Sequence, residues 1–167
     1  MYYGDPVKTI AVIGWKNSGK TTVVSKLVTI FKSKNLKVGV VKHAHHSFDI
    51  DKPNTDSFKI RQAGSDKITV VSDKRLAFIE EKKNPDISLN QLVEFNKDCD
   101  VLIFEGFKSN RELIKVEVFL SKNKKYYLYK SSDNVKFLIT DDKNEHSIKK
   151  FSHEQIDLLA TEILNEL

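Results

Sequence analysis

Ile10-Ala11-Val12-Ile13-Gly14-Trp15-Lys16-Asn17-Ser18-Gly19-Lys20-Thr21-Thr22 decides how this chain folds. Gly14 to Thr21 matches G-x-x-x-x-G-K-[ST], the pattern of a glycine-rich loop that cradles phosphates. Average residue usage puts a chance match in about one chain in two hundred of this length. The context reinforces the match. Ile10 to Ile13 is a short apolar, β-branched run of the kind that forms a buried strand. From Thr22 to Lys32, Val23, Val24, Leu27, Val28 and Phe31 recur at helical spacing. Strand, loop and helix together make an anion site. The glycines let successive N–H groups turn inward, and the helix start adds free N–H groups and a positive dipole end. Lys20 brings a point charge to the β- and γ-phosphates, and Thr21 brings a hydroxyl to Mg²⁺. The pattern implies binding of a nucleoside triphosphate or a close analogue.

The 167 residues fit one domain, so residues 1–167 are expected to form a single nucleotide-binding domain. An apolar fraction of 40% supports a real core and excludes disorder. The formal charge of +5 suits attraction of an anionic ligand. The lysines are dispersed, with no RNA-binding aromatic motif, zinc finger or dense basic run, so nucleic acid is not an expected partner. Cys99 is the only cysteine, which rules out an internal disulfide and fits a reducing cytosol. Its place at the entry to a buried strand reads as a small packed residue ahead of a reactive thiol. Met1 to Pro6 shows no basic segment followed by an apolar stretch, and no apolar run has the length of a membrane span. The expectation is a cytoplasmic protein without a membrane partner.

Strands and helices alternate along the chain. A second strand is expected over Lys37 to Lys42 and a short helix over Asn54 to Ala63, ended by Gly64. Lys67 to Val71 and Leu76 to Glu80 read as strands across a Ser72-Asp73-Lys74-Arg75 turn. Asp86 to Phe95 reads as a helix with Ser88 as cap. Asp100 to Phe104 is a strongly apolar central strand. Leu113 to Leu120, Tyr126 to Tyr129 and Val135 to Thr140 read as further strands, and the tail from Ser152 as a closing helix. This order predicts a three-layer α/β domain of the P-loop NTPase kind, with a mostly parallel sheet. The segment around residues 67 to 80 admits a β-hairpin.

Two constellations refine the chemistry. Asp100-Val101-Leu102-Ile103-Phe104-Glu105-Gly106-Phe107-Lys108 is an apolar strand ending in a carboxylate. Placed beside the loop strand, Glu105 reaches the Mg²⁺ shell or orients a water, and Gly106 lets a backbone N–H approach the γ-phosphate. The other reading of Glu105 is a solvated strand end. The second constellation is His43-Ala44-His45-His46-Ser47-Phe48-Asp49-Ile50-Asp51. Here Asp49 and Asp51 are candidate outer ligands or water-positioning groups. Three histidines beside two aspartates also admit a transition-metal site or a solvated polar loop. Asp56 and Ser57 are either helix caps or substrate-facing groups.

Taken together, four motifs resemble one family in their order and spacing. They are Gly14 to Thr22; Lys42-His43-Ala44-His45-His46 with Asp49-Ile50-Asp51-Lys52-Pro53; Asp56-Ser57 with Arg61-Gln62-Ala63-Gly64; and Glu105-Gly106-Phe107-Lys108. The family is MobB, the molybdopterin-guanine dinucleotide biosynthesis adaptor proteins. The likeness covers roughly the first two-thirds of the chain. Asn54 departs from the pattern where the family carries glycine, and Asn tolerates the left-handed backbone such a turn needs.

The resemblance implies GTP binding with Mg²⁺, weak GTPase activity at most, and a homodimer. It also implies assistance to the guanylyltransferase that attaches GMP to molybdopterin. Carried over by position, Gly14, Asn17, Ser18, Gly19, Lys20, Thr21 and Thr22 hold phosphates, and Thr21 and Glu105 organise Mg²⁺. His43, Asp49, Asp51 and Asp56 line the space facing the γ-phosphate or the pterin. Guanine preference rests on the family alone. Asn96-Lys97-Asp98-Cys99 approaches the N-K-x-D pattern but ends in Cys99. Thr140-Asp141-Asp142-Lys143 is either a base-side segment or a polar turn.

Two other functions use the same cradle, a small-molecule kinase and a non-catalytic binder of a phosphorylated pterin. A kinase lid needs arginines, and the chain has only Arg61, Arg75 and Arg111. Leu113 to Phe119 alternates sharply and reads either as a pairing edge for a second copy or as an internal strand.

Overall fold

A computed structural model describes residues 6–44, 48–82, 87–123 and 125–167. In chain order the regular elements are β1 (Lys8–Ile13), α1 (Lys20–Ser33), β2 (Val38–Lys42), α2 (Asp56–Gln62), β3 (Lys67–Ser72) and β4 (Arg75–Glu80). There follow α3 (Leu89–Glu94), β5 (Val101–Glu105), β6 (Ile114–Phe119), β7 (Val135–Thr140), β8 (Lys149–Phe151) and α4 (Ile156–Glu166). They divide into two compact units, Met1–His43 with Leu89–Leu167, and Ala44–Ser88.

The larger unit is built on a six-stranded sheet in the order β2-β5-β1-β6-β7-β8. Every pairing is parallel. Parallel strands need helices on the sheet faces, and strands covered on both faces read as continuous apolar runs. Ile10 to Ile13 and Val101 to Phe104 do so, and all are fully buried. On one face Ile10, Val12 and Ile103 pack with Val23, Leu27 and Phe31 of α1 and Leu159 and Ile163 of α4. On the other, Ala11, Ile13, Leu102 and Phe104 pack with Leu128 and with Leu89, Leu92 and Val93 of α3. The result is the mostly parallel three-layer α/β fold that the sequence predicts.

β6 is internal, flanked by β1 and β7, so the alternative of a pairing edge there is ruled out. Its polar residues are buried and satisfied by distant backbone. Lys115 Nζ donates to Asp133 O at 2.6 Å. The Glu117 carboxylate accepts from the N–H groups of Leu128 (2.7 Å) and Tyr129 (2.8 Å). Those same contacts correct the expected strand at Tyr126 to Tyr129. The two N–H groups turn to Glu117, and Leu128–Lys130 forms a 3-10 turn. α4 begins at Ile156, later than the expected Ser152, because a turn precedes it in which Ser152 N donates to Gln155 Oε1 and Glu154 N donates to the Ser152 hydroxyl.

In the smaller unit, β3 and β4 pair antiparallel as a two-stranded hairpin. Thr55 caps α2, its hydroxyl accepting from Phe58 N at 3.4 Å. Gly64 ends the helix in a left-handed conformation, φ +104°. Asn54 adopts φ +72°, the left-handed turn that lets asparagine stand in for glycine. The expected helix from Asp86 is observed over Leu89–Glu94, and residues 83–86 lie outside the described set.

Candidate functional site

Parallel pairing brings the carboxyl ends of β1, β2 and β5 to one edge of the sheet, where ligands of open α/β sheets bind. In register, Val12 and Lys42 both lie opposite Glu105. β1 runs out at Ile13, and the loop to α1 can form only with glycine at position 14. A Cβ there would stand 2.3 Å from the Val118 carbonyl oxygen and 2.6 Å from Ser18 Oγ. Asn17 (φ 60°) and Gly19 (φ 90°) take left-handed conformations that curl the loop. Ser18 is 1% exposed, and its hydroxyl has no partner among the described residues. A buried hydroxyl at the foot of such a loop fits a phosphate acceptor.

Lys20 Nζ donates to the Trp15 carbonyl at 2.7 Å, so its ammonium lies folded over its own loop. Burial lowers its pKa, with Lys42 and Lys108 adding to the fall and Glu105 opposing it. Thr21 Oγ1 donates to Glu105 Oε1 at 2.9 Å, and Lys42 Nζ donates to the same oxygen at 3.0 Å. The Glu105 side chain is 10% exposed, which sets aside the solvated strand end. A hydroxyl and a carboxylate converging at the carboxyl edge are the hard oxygen donors that Mg²⁺ selects. Lys42, quoted in the family motif without a role, is the residue whose part in the site motif reading did not assign. Its signal is the in-register lysine at the end of β2.

Gly106 adopts φ +101°, and its N–H donates to Val12 O at 2.9 Å, joining the sheet instead of facing outward. His43 N donates to Glu105 O at 3.0 Å, and its ring meets Phe107 edge-on at 5.5 Å. His45 and His46 lie outside the described residues. No group of three or more His, Cys, Asp or Glu side chains among the described residues could hold a metal ion.

Asp49, Asp51 and Asp56 belong to the smaller unit. There Arg61 binds Asp49 (2.9 Å), Asp51 (3.2 Å) and Glu81 (2.8 Å). Asp51 also accepts from the hydroxyls of Ser57 (2.8 Å) and Thr55 (3.2 Å). Hydrogen bonds from Arg61 to Asp49, and from Ser57 and Arg61 to Asp51, hold both carboxyls below the usual range. The Asp56 side chain is fully exposed, with Lys59 at 3.9 Å.

Of the two base-side candidates, Asn96-Lys97-Asp98 precedes β5 and lies at the opposite sheet edge from the loop. Thr140 to Lys143 follows β7 at the loop's own edge. Asp141 accepts from Ser121 N and Oγ, and Asp142 from Asn144 N and the His146 ring. The Cys99 thiol is pushed up by burial and by Asp98 and Asp100, consistent with packing over reactivity. No helix among the described residues is long and apolar enough to cross a membrane.

Residues 9–141 match the family model described as molybdopterin guanine dinucleotide synthesis protein B. Two curated relatives bear the name molybdopterin-guanine dinucleotide biosynthesis adapter protein. The Haemophilus influenzae protein is 32% identical over 110 residues, 65% of this chain and 61% of its own. The Escherichia coli protein is 32% identical over 116 residues, 68% of this chain and 66% of its own. This chain therefore spans about two-thirds or less of the length of those relatives. Among solved structures, Bacillus subtilis MobB superposes with a TM-score of 0.74 at 22% identity, over 96% of this chain and 98% of that one. A Bacillus stearothermophilus MobB homolog gives 0.72 at 21%, over 96% and 97%. These two show the fold. With the family model spanning the phosphate loop, β5 and β7, the chain belongs to the MobB family.

Proposed function

We propose that this chain is a cytoplasmic GTP-binding adaptor that assists a guanylyltransferase in converting molybdopterin to its guanine dinucleotide, with slow Mg²⁺-dependent GTP hydrolysis. Residues 1–167 act in it as one nucleotide-binding domain. The observation that carries the proposal is the 2.9 Å contact between Thr21 and Glu105, which joins the end of the phosphate loop to the acid at the neighbouring strand end. Gly14, Asn17, Ser18, Gly19, Lys20, Thr21 and Thr22 hold the triphosphate through inward N–H groups, the buried Ser18 hydroxyl and the Lys20 ammonium. On binding, Lys20 exchanges the Trp15 carbonyl for phosphate oxygens. Thr21 and Glu105 would hold Mg²⁺, which when bound would neutralise charge on the phosphates. Glu105 orients the attacking water, and Lys42 keeps its carboxylate in place.

Two of the three arginines argue against a kinase. Arg61 is committed to three carboxylates, and Arg111 lies 3.5 Å from Asp133. For the proposed homodimer, the hairpin offers a surface. Val71, Leu76 and Phe78 lie on one of its faces and are 75%, 69% and 56% exposed.

Calorimetric titration with GTP and ATP, each with Mg²⁺, tests the reading. GTP is expected to bind at least about tenfold more tightly, and added protein to raise dinucleotide yield from the guanylyltransferase. Equal binding of ATP, with phosphate transfer to an acceptor, would instead establish a kinase.

A further inference from the structure

Four buried side-chain polar atoms have no hydrogen-bond partner among the described residues: Ser18 Oγ, Asn123 Nδ2, Asp142 Oδ2 and His153 Nε2. They lie on the loops that follow β1, β6, β7 and β8, all at the sheet edge that carries the phosphate loop. Only the imidazole belongs to a residue type that ordinarily titrates near neutral pH. His153 also borders the loop itself. Its Cε1, bonded to the unpartnered Nε2, lies 3.8 Å from where a Cβ on Gly19 would stand. Gly19 precedes Lys20 and occupies the N-cap of α1. The backbone of His153 is tied to the same helix, its carbonyl accepting from Lys26 Nζ at 3.3 Å.

The surroundings favour the neutral imidazole in the free protein. Burial lowers its pKa, Lys26 adds to the fall, and Asp141 opposes it. Asp141 is itself engaged by Ser121 N and Oγ at 2.8 and 2.9 Å. Glu154 and Asp157 line the same hollow as Lys26 and the ring. The N-terminal dipole end of α1 adds positive potential at Gly19. A polyphosphate in the cradle would reverse that field, because its charge would lie on the loop side of the ring. Proton and polyanion then stabilise each other. We propose that His153 is a second, proton-dependent cation of the phosphate site, so that polyphosphate binding takes up a proton there. The inference rests on the nucleotide reading for its ligand class, and it adds a residue that none of the four motifs contains. The complex holds this proton more tightly than the free protein does. Affinity therefore rises as pH falls through 6.5, the ordinary histidine value, towards the lowered value of the free protein.

The full chain is titrated calorimetrically with GTP and, separately, with inorganic tripolyphosphate, each with Mg²⁺, from about pH 8 to about pH 5.5. Paired buffers of different ionisation enthalpy give the protons taken up at each pH. The wild type should take up a fraction of a proton that His153→Gln does not. Over that range its affinity should gain about tenfold more than the variant's. Protons taken by Lys20 or by the ligand appear in both chains and cancel in the comparison. Lys26→Met, an exposed change that leaves the ring in place, should move the uptake to higher pH, because Lys26 opposes the imidazolium. Identical uptake and pH profiles in the wild type and His153→Gln, or no shift with Lys26→Met, would overturn the proposal. Binding of both ligands without His153-dependent uptake would sink this inference alone. Tripolyphosphate binding with that uptake, but no GTP binding, would sink the nucleotide reading and leave His153 standing. Binding of neither would sink both.

Discussion

Lys20→Ala separates the ligand's share of this site from the fold's. In the free protein Lys20 makes one hydrogen bond, to the Trp15 carbonyl at 2.7 Å, from a half-buried ammonium whose pKa burial lowers. Losing a bond to a charged group costs about 1.5–3 kcal/mol, but truncation also relieves the ammonium's desolvation. The two effects oppose, so the net change in stability should stay within about 1 kcal/mol. For a chain of this size that is a shift in Tm of about 2–4 °C or less. With nucleotide bound, the same ammonium would serve two phosphates. Two charge-assisted contacts are worth about 3–5 kcal/mol, a loss in affinity on the order of 10²- to 10⁴-fold. The assay is paired: thermal unfolding by circular dichroism, and calorimetric titration with GTP and Mg²⁺ on the same sample. A folded variant that keeps full affinity would refute the assignment of Lys20 to phosphate.

Four further outcomes follow from the same geometry. Gly14→Ala forces a Cβ into the Val118 carbonyl and should cost about 2–4 kcal/mol in urea unfolding, with nucleotide binding lost; a cost under about 0.5 kcal/mol would contradict the loop geometry. Glu105→Gln keeps an acceptor for Thr21 but removes the charge, so GTP affinity should lose about 10- to 100-fold of its Mg²⁺ dependence, read from titrations with and without Mg²⁺. His153 is held below its ordinary 6.5 chiefly by burial, with Lys26 adding and Asp141 opposing. The unfolded chain therefore binds this proton first, so the stability from this position is complete above pH 6.5 and is lost as pH falls through the lowered folded value. His153→Gln should flatten that part of the unfolding profile, and an unchanged profile would count against it. Val71→Glu with Leu76→Glu should convert the proposed dimer to monomer in sedimentation velocity; an intact dimer would place the interface elsewhere.

The loop was legible because all its information is local. An apolar strand, two glycines in fixed positions and an amphipathic helix lie within some two dozen consecutive residues, and each has one physical job. Glu105 was legible for the same reason, as the first carboxylate after a fully apolar strand. What stayed hidden depends on distant partners. Alternation at Leu113 to Phe119 suits an exposed edge or an internal strand equally. Burial of Lys115 and Glu117 is tolerated only because Asp133 O and the N–H groups of Leu128 and Tyr129 arrive from other segments. Tyr126 to Tyr129 has strand composition, yet its backbone donors go to a side chain. β8, three residues long, is below the length at which periodicity carries a signal. Lys42 opens one of the family motifs but has no role legible there, because only the register of β2 against β5 brings it to Glu105. Asp49 and Asp51 sit in a segment rich in acids and histidines, and the sequence does not announce that Arg61 gathers them.

The central claim is that Gly14 to Thr22 holds a triphosphate with Thr21 and Glu105 at its metal. A crystal structure with a non-hydrolysable GTP analogue and Mg²⁺ tests it most directly. The account predicts phosphates within hydrogen-bond reach of the Ser18 hydroxyl and the loop N–H groups, Lys20 moved from the Trp15 carbonyl onto phosphate oxygens, and the cation beside Thr21 and Glu105. A nucleotide bound elsewhere, with Lys20 still on Trp15, would contradict it.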